Sequence, residues 1–237
     1  YFDYKNGNLG NKEQQFHDSP LISGKITTGQ VMFAFLLCLG IAVGIGIYLL
    51  IEVGLPVLYL MAAGAFIVLF YTSPPIRLNY RGLGETMLFI AFGPMIVFGV
   101  YFVLTGKFSI EPLLASIPLG IFIMNVGIVS NTFDHDDDVK SGKRSLPVRF
   151  GQANAVKVLT IVTFLAYATV VISVILDIMP YWTLIGLLSL PVAIQVIKAT
   201  SKFENTDNYT PAMSKAIALS SIMGVMLIAG YAIGVIV

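Results

Sequence analysis

Charge is what this sequence has least of. Asp, Glu, Lys and Arg make up 11% of its 237 residues, where a soluble domain carries about a quarter. So few charges cannot coat a water-facing surface, and 57% of the residues are hydrophobic. An ordinary soluble fold is excluded, and with a net charge of +1 no nucleic-acid partner is expected. Cysteine is nearly absent as well. The single Cys38 can form no internal disulfide, and its apolar setting predicts a buried small hydrophobe. The first thirty residues are polar and show no signal-peptide pattern. The chain opens on Tyr1 rather than Met, and it reads as a piece whose N-terminal part lies elsewhere. Short alternating segments, the mark of a membrane barrel, are missing too.

Long apolar runs are what the sequence does have. Seven stretches approach the roughly 20 residues that cross a bilayer: 31–52, 55–72, 83–105, 112–133, 154–176, 180–199 and 213–236. Gly, Pro or charge bounds each. Backbone facing lipid must satisfy its own hydrogen bonds, so each run is a helix. The expected fold is all-α: one polytopic transmembrane bundle over residues 1–237, with a central cavity opening at one membrane face.

Threading the chain through these spans divides the basic residues sharply. One face collects Lys5, Lys12, Lys25, Arg77, Arg81, Lys140, Lys143, Arg144, Arg149, Lys157, Lys198, Lys202 and Lys215, and the other has only Lys107. Thirteen against one marks the basic face as cytoplasmic and predicts a multi-pass protein of the cell membrane. The long polar segments 1–30, 73–82, 134–153 and 200–212 fall on that same face, so a polar site opens to the cytoplasm.

Three of these segments carry chemistry. In Asn131-Thr-Phe-Asp134-His-Asp-Asp-Asp138, the i, i+3, i+7 spacing puts Asn131, Asp134 and Asp138 on one face if the helix continues. Two carboxylates and an amide oxygen suit Mg²⁺, a hard cation that also takes waters and phosphate oxygens. Acids at a helix C-terminus oppose the dipole and call for a cation. The plainer alternative is a solvated acidic turn balanced by Lys140, Lys143 and Arg144. Asp3, on the same face, would add a second metal site. The loop Tyr71-Thr-Ser-Pro-Pro-Ile-Arg77-Leu-Asn-Tyr80-Arg81-Gly-Leu-Gly-Glu85 offers two arginine forks that match phosphate oxygens, with Tyr71 and Tyr80 beside them. Its arginines could equally anchor the chain at the membrane surface. Glu85 falls in the first turn of a helix, where the dipole by itself favours an acid, and it stands outside the expected catalytic set. Metal and cations beside a greasy bundle fit an allylic diphosphate with a long tail. Phe66, Phe70, Tyr71 and Phe133 are available to face a developing carbocation, or simply to pack.

The run Asn131-x-x-Asp134-x-x-x-Asp138-x-x-x-Gly142-Lys143-Arg144-x-Leu146-Pro147-Val148-Arg149-x-Gly151 resembles the second aspartate-rich motif of the UbiA superfamily of intramembrane prenyltransferases. Tyr1-Phe-Asp3-Tyr-Lys-Asn-Gly7 is similar to the end of the first motif, and the 71–85 loop to the family's loop between its fourth and fifth helices. Departures are Ser130 where the family often has Asn, Gly7 in place of a further acid, and Asn79 where some branches carry Lys. The resemblance implies seven of nine membrane helices. It also implies Asp3, Asn131, Asp134 and Asp138 as holders of Mg²⁺ and diphosphate, with Asp3, Asp134 and Asp138 as the catalytic acids. Lys143, Arg144, Arg77 and Arg81 become diphosphate contacts. Gly142 to Arg149 and Tyr80 to Glu85 look most like the menaquinone branch, which attaches a polyprenyl chain to 1,4-dihydroxy-2-naphthoate with loss of CO₂. Another acceptor (4-hydroxybenzoate, homogentisate, haem, chlorophyllide or a lipid) is the alternative. A transporter would need ionisable groups at mid-membrane, and a CDP-alcohol phosphotransferase would need an Asp-Gly…Ala-Arg signature that this chain lacks.

Overall fold

The computed structural model describes residues 1–5 and 20–236. A single turn, α1 (Phe2–Lys5), precedes α2 (Thr28–Val53), which folds back at Gly54 into α3 (Leu55–Phe70). Thr27 starts α2 with a capping box shared with Gln30, two otherwise unpaired N–H groups being satisfied at once. The chain returns through α4 (Gly84–Ile90), a wider π turn over Ala91–Met95, and α5 (Ile96–Thr105). Together these make one apolar rod, Gly84–Thr105. Its wide turn falls at Pro94, which has no N–H to donate and crowds the carbonyl four residues earlier. Next come α6 (Ile110–Phe133), the short α7 (His135–Lys140) and α8 (Leu146–Phe150), and α9 (Gln152–Ile175). A 3₁₀ segment over Tyr181–Ser189 runs into α10 (Leu190–Thr200), and α11 (Tyr209–Ile236) closes the fold.

Six of these rods are long and apolar enough to cross a membrane. The seventh expected span, 55–72, is the 16-residue α3. At 1.5 Å per residue it rises about 24 Å, short of a hydrocarbon layer of about 30 Å. The architecture is otherwise the all-α bundle that hydropathy predicts. The stretch 180–199 is not a uniform α-helix, because its first half winds as 3₁₀ before Pro191 opens α10.

The core is built around α6. Phe122, Ile128, Leu159, Val170, Leu219 and Met223 are among its fully enclosed side chains, contributed by α6, α9 and α11. Small residues permit the closest crossings, as they do where helices meet in lipid. A Cβ on Gly120 would lie 2.8 Å from the Phe89 carbonyl oxygen, and one on Gly230 would lie 2.6 Å from the Thr183 Cα. Cys38 departs from expectation. It is exposed, because α2 packs mainly on α3 and buries one residue, Gly46.

The polar connections meet at one end. The Arg144 N–H donates to the Tyr80 carbonyl at 3.1 Å, joining the 71–83 loop to the 134–151 segment. Phe133 at the end of α6 stacks edge-on against Tyr209 at the start of α11, 5.5 Å between ring centres. A cavity of about 500 Å³ between α1, α2 and α3 is lined by both Phe2 and Ser73, which brings the first residues to the same end.

Candidate active site

The chemistry at the polar end begins where α6 stops. Helical geometry fails at Asp134 (φ −83°, ψ 5°) and restarts as α7. The i→i−4 bonding nevertheless carries through. The Asp134 N–H reaches the Ser130 carbonyl at 3.0 Å, and the Asp138 N–H reaches the Asp134 carbonyl at 2.9 Å. Asn131, Asp134 and Asp138 are therefore all buried on one side, at 7%, 3% and 1% exposure, as their spacing predicts. The break corrects one electrostatic expectation. Asp136, Asp137 and Asp138 occupy the first turn of α7 rather than the last turn of α6, the end of a helix where acids are favoured. Asp136 points into solvent.

A chain of buried polar contacts ties these acids to two other segments. Lys143 Nζ donates to Asn131 Oδ1 at 2.7 Å and to Asp138 Oδ1 at 3.1 Å. Ser145 Oγ donates to Asp138 Oδ2 at 2.7 Å. Asn131 Nδ2 donates to Glu85 Oε1 at 2.8 Å, and the same oxygen accepts the Leu146 N–H at 2.9 Å. Ser130 Oγ donates to Asp134 Oδ2 at 3.1 Å. Burial pushes the Asp138 carboxyl above its ordinary range, and the Asp134 charge adds to that. The Lys143 ammonium and the Ser145 hydroxyl pull it back down. Charge removed from water must be paired and hydrogen-bonded, and at Asp138 both carboxylate oxygens are engaged, one by Lys143 and one by Ser145.

The loop residues divide. Tyr80 is buried, Arg77 and Tyr71 are half-buried, and Arg81 and Arg144 are exposed. Arg77 holds a left-handed backbone (φ 51°), unusual for a residue with a side chain, and its carbonyl accepts the Tyr80 N–H at 2.9 Å. Its guanidinium lies 5.6 Å from the centre of the Tyr80 ring. Gly82 (φ 77°) could carry no side chain, because a Cβ there would sit 2.6 Å from the Arg144 carbonyl oxygen. That close approach locks the 78–82 turn under the 144–149 segment. Arg144 thus enters the site through its backbone while its side chain is exposed, and the exposed Arg81 guanidinium donates to the Pro75 carbonyl at 3.4 Å. Phe133 is engaged in packing against Tyr209. The Asp3 side chain lies outside the described residues, so its expected meeting with Asp134 does too; its backbone is part of α1.

As a metal site, the donor set fits a cation shared with a ligand rather than a closed protein cage. Among the described residues no three His, Cys, Asp or Glu side chains converge as a ready-made metal centre. Asp134, Asp138 and the Asn131 amide oxygen are the available oxygens, and Mg²⁺ commonly uses one or two carboxylates with phosphate oxygens and water. Lys143 already bridges two of the three.

Sequence reasoning missed Glu85, Ser130 and Ser145. Glu85 had one signal. An acid between Gly84 and an apolar helix, with no basic neighbour on its own turn, needs a partner from elsewhere.

A membrane-spanning helical bundle with a buried, hydrogen-bonded ion pair at one mouth defines a polytopic membrane protein with a polar site at its surface. The chain belongs to the UbiA prenyltransferase family, whose model matches residues 1–233. It is 31% identical over 176 residues to the 2-carboxy-1,4-naphthoquinone phytyltransferase of Synechocystis sp., covering 74% of this chain and 57% of that protein. It is 26% identical over 230 residues to the 1,4-dihydroxy-2-naphthoate octaprenyltransferase of Bacillus subtilis, covering 97% of this chain and 74% of that one. This chain therefore spans little more than half of the first relative and about three quarters of the second. In three dimensions it is similar to digeranylgeranylglyceryl phosphate synthase, with a TM-score of 0.61, 22% identity, and coverage of 97% of this chain and 77% of that one.

Proposed function

We propose that this protein transfers a polyprenyl group from an allylic diphosphate to an aromatic acceptor, 1,4-dihydroxy-2-naphthoate, at the cytoplasmic face of the cell membrane. The family membership and the naphthoate- and naphthoquinone-directed relatives support the reaction class and the acceptor. The thirteen-to-one split of basic residues supports the orientation. The observation that carries the reading is the buried cluster of Asp134, Asp138, Asn131 and Lys143 beside the arginine loop, above apolar helices able to hold a long tail.

The division of labour follows from the residues. Asp134 and Asp138, with the Asn131 amide oxygen and Asp3, would hold Mg²⁺ against the diphosphate. The bound ion supplies positive charge that stabilises the departing diphosphate. Lys143 is the nearest built-in cation and can pass from Asp138 to a phosphate oxygen without leaving the cluster. Arg77, Arg81 and Arg144 at the rim can take outer phosphate oxygens in a bidentate grip. Tyr71 and Tyr80 stand beside that rim, and Tyr71, with Phe66 and Phe70, offers ring faces to the electron-poor allylic carbon. The ring carbon bearing the carboxylate forms the new C–C bond, the C–O bond to diphosphate breaks, and the carboxyl carbon leaves as CO₂.

The test is turnover in nanodiscs with a polyprenyl diphosphate and 1,4-dihydroxy-2-naphthoate, with Mg²⁺ or with a chelator. Prenylated product is expected only with Mg²⁺, and Asp134→Ala and Asp138→Ala are expected to abolish it. Unchanged turnover in correctly inserted variants would remove the metal assignment. A better rate with 4-hydroxybenzoate or homogentisate would reassign the acceptor.

A further inference from the structure

We propose that Glu85 is a positioning residue that fixes which way the Asn131 amide faces and thereby holds the Lys143 ammonium in the site. The proposal rests on reading this site as a diphosphate-binding one.

An asparagine side chain has a donor end and an acceptor end of nearly the same shape, so its direction is set by its partners. A carboxylate can only accept. Glu85 Oε1 lies 2.8 Å from Asn131 Nδ2, which commits the amide nitrogen to that side. The amide oxygen must then face the opposite way, where Lys143 Nζ meets it at 2.7 Å. With the amide reversed, an NH₂ would confront the ammonium and two donors would be left facing each other. Glu85 is 5% exposed and Lys143 7%, so water is poorly placed to replace either bond. The same carboxylate oxygen also accepts the Leu146 N–H at 2.9 Å, anchoring the segment that carries Lys143 and Ser145. One side chain from the first turn of α4 thus clamps two segments 46 and 61 residues further along the chain.

Two readouts test this in the whole protein in nanodiscs. The first needs no substrate: the rate of Lys143 acylation by an amine-reactive acetyl ester, followed by mass spectrometry. Lys140 and Lys157, both exposed, serve as internal controls. Lys143 is expected to be protected in the wild type and in Glu85→Gln, whose amide oxygen can accept both bonds. It is expected to react about tenfold faster in Glu85→Ala, the loss typical of a hydrogen bond to a charged group, with the controls unchanged. Should Glu85→Ala fail to fold, Glu85→Asp, one methylene shorter, breaks the same reach. The second readout is kinetic. The KM for the prenyl diphosphate is expected to rise about tenfold in Glu85→Ala, with the acceptor KM unchanged and Glu85→Gln close to wild type. Equal Lys143 reactivity in wild type and Glu85→Ala overturns the proposal, as does a parallel change in both KM values. A wild type that transfers no prenyl group, with Lys143 still responding to Glu85, would sink the diphosphate reading and leave the clamp standing.

Discussion

Two regions of this molecule share a composition and differ in everything else. Helices α2 and α6 are both apolar rods of span length, yet α2 buries one of its 26 residues and α6 buries thirteen of its 24. In the α2–α3 hairpin the neighbour that lies over Gly46 is the flexible Met61 side chain. Around α6, backbone meets backbone at Gly93 and Gly120, and polar side chains find buried partners. Hydrophobicity places a helix in the bilayer, but lipid tails are as apolar as a protein core. Close packing and satisfied polar groups, rather than greasiness, hold helices to one another. The site sits on the α6 side of this divide because buried charge needs surroundings that do not give way.

The comparison breaks most visibly at Lys143. Lys143→Met strands the Asp138 carboxylate in a buried position, and removing one partner of a buried pair costs about 3–5 kcal/mol. The same change at Lys140, paired with Asp137 but largely exposed at 69%, is expected to cost under about 1 kcal/mol. Unfolding free energies from detergent titration measure both. Equal losses would mean that the buried pair is no more structural than the surface one.

Glycines sharpen the contrast at a smaller scale. In Gly120→Ala the new Cβ meets the Phe89 carbonyl oxygen at 2.8 Å, and overpacking of this kind costs about 1–3 kcal/mol. In Gly44→Ala the Cβ meets nothing within 4 Å, so the better helix propensity of alanine stands alone and stabilises by up to about 1 kcal/mol. Opposite signs in thermal unfolding are expected. The same sign at both positions would contradict the packing difference between α6 and α2.

Much of this was legible in the sequence. Hydropathy placed each rod to within a few residues, and the Lys and Arg tally gathered the polar segments at one end, where Arg144–Tyr80 and Phe133–Tyr209 join them. What it could not show is which rods are buried, because an apolar helix looks the same all round whether lipid or protein surrounds it. Within the site, spacing alone put Asn131, Asp134 and Asp138 on one side. The bond between Lys143 and Asn131 depends on a loop turning back after α7, and no helical period records that. Glu85 does not stand out in the sequence because its partners lie 46 and 61 residues away, and because a first helical turn is by itself sufficient reason for an acid. The expected conflict between the aspartates and a helix end dissolved for a local reason: the chain breaks at Asp134, and the acids that follow begin a new turn.

The smallest expected effect asks whether polar contacts contribute to cohesion within the tight region at all. Asn125 Nδ2 donates to Thr163 Oγ1 at 2.8 Å between α6 and α9, with both residues buried. An isolated hydrogen bond in an apolar medium is strong, but helices separated in a membrane find other partners, so such bonds contribute only about 0.6 kcal/mol on average. A double-mutant cycle with Asn125→Ala and Thr163→Ala is expected to give a coupling near that value, well below the cost at Gly120. A coupling above about 2 kcal/mol would exceed the range for such pairs, and would move the source of the bundle's cohesion from its close backbone crossings to its buried amide and hydroxyl groups.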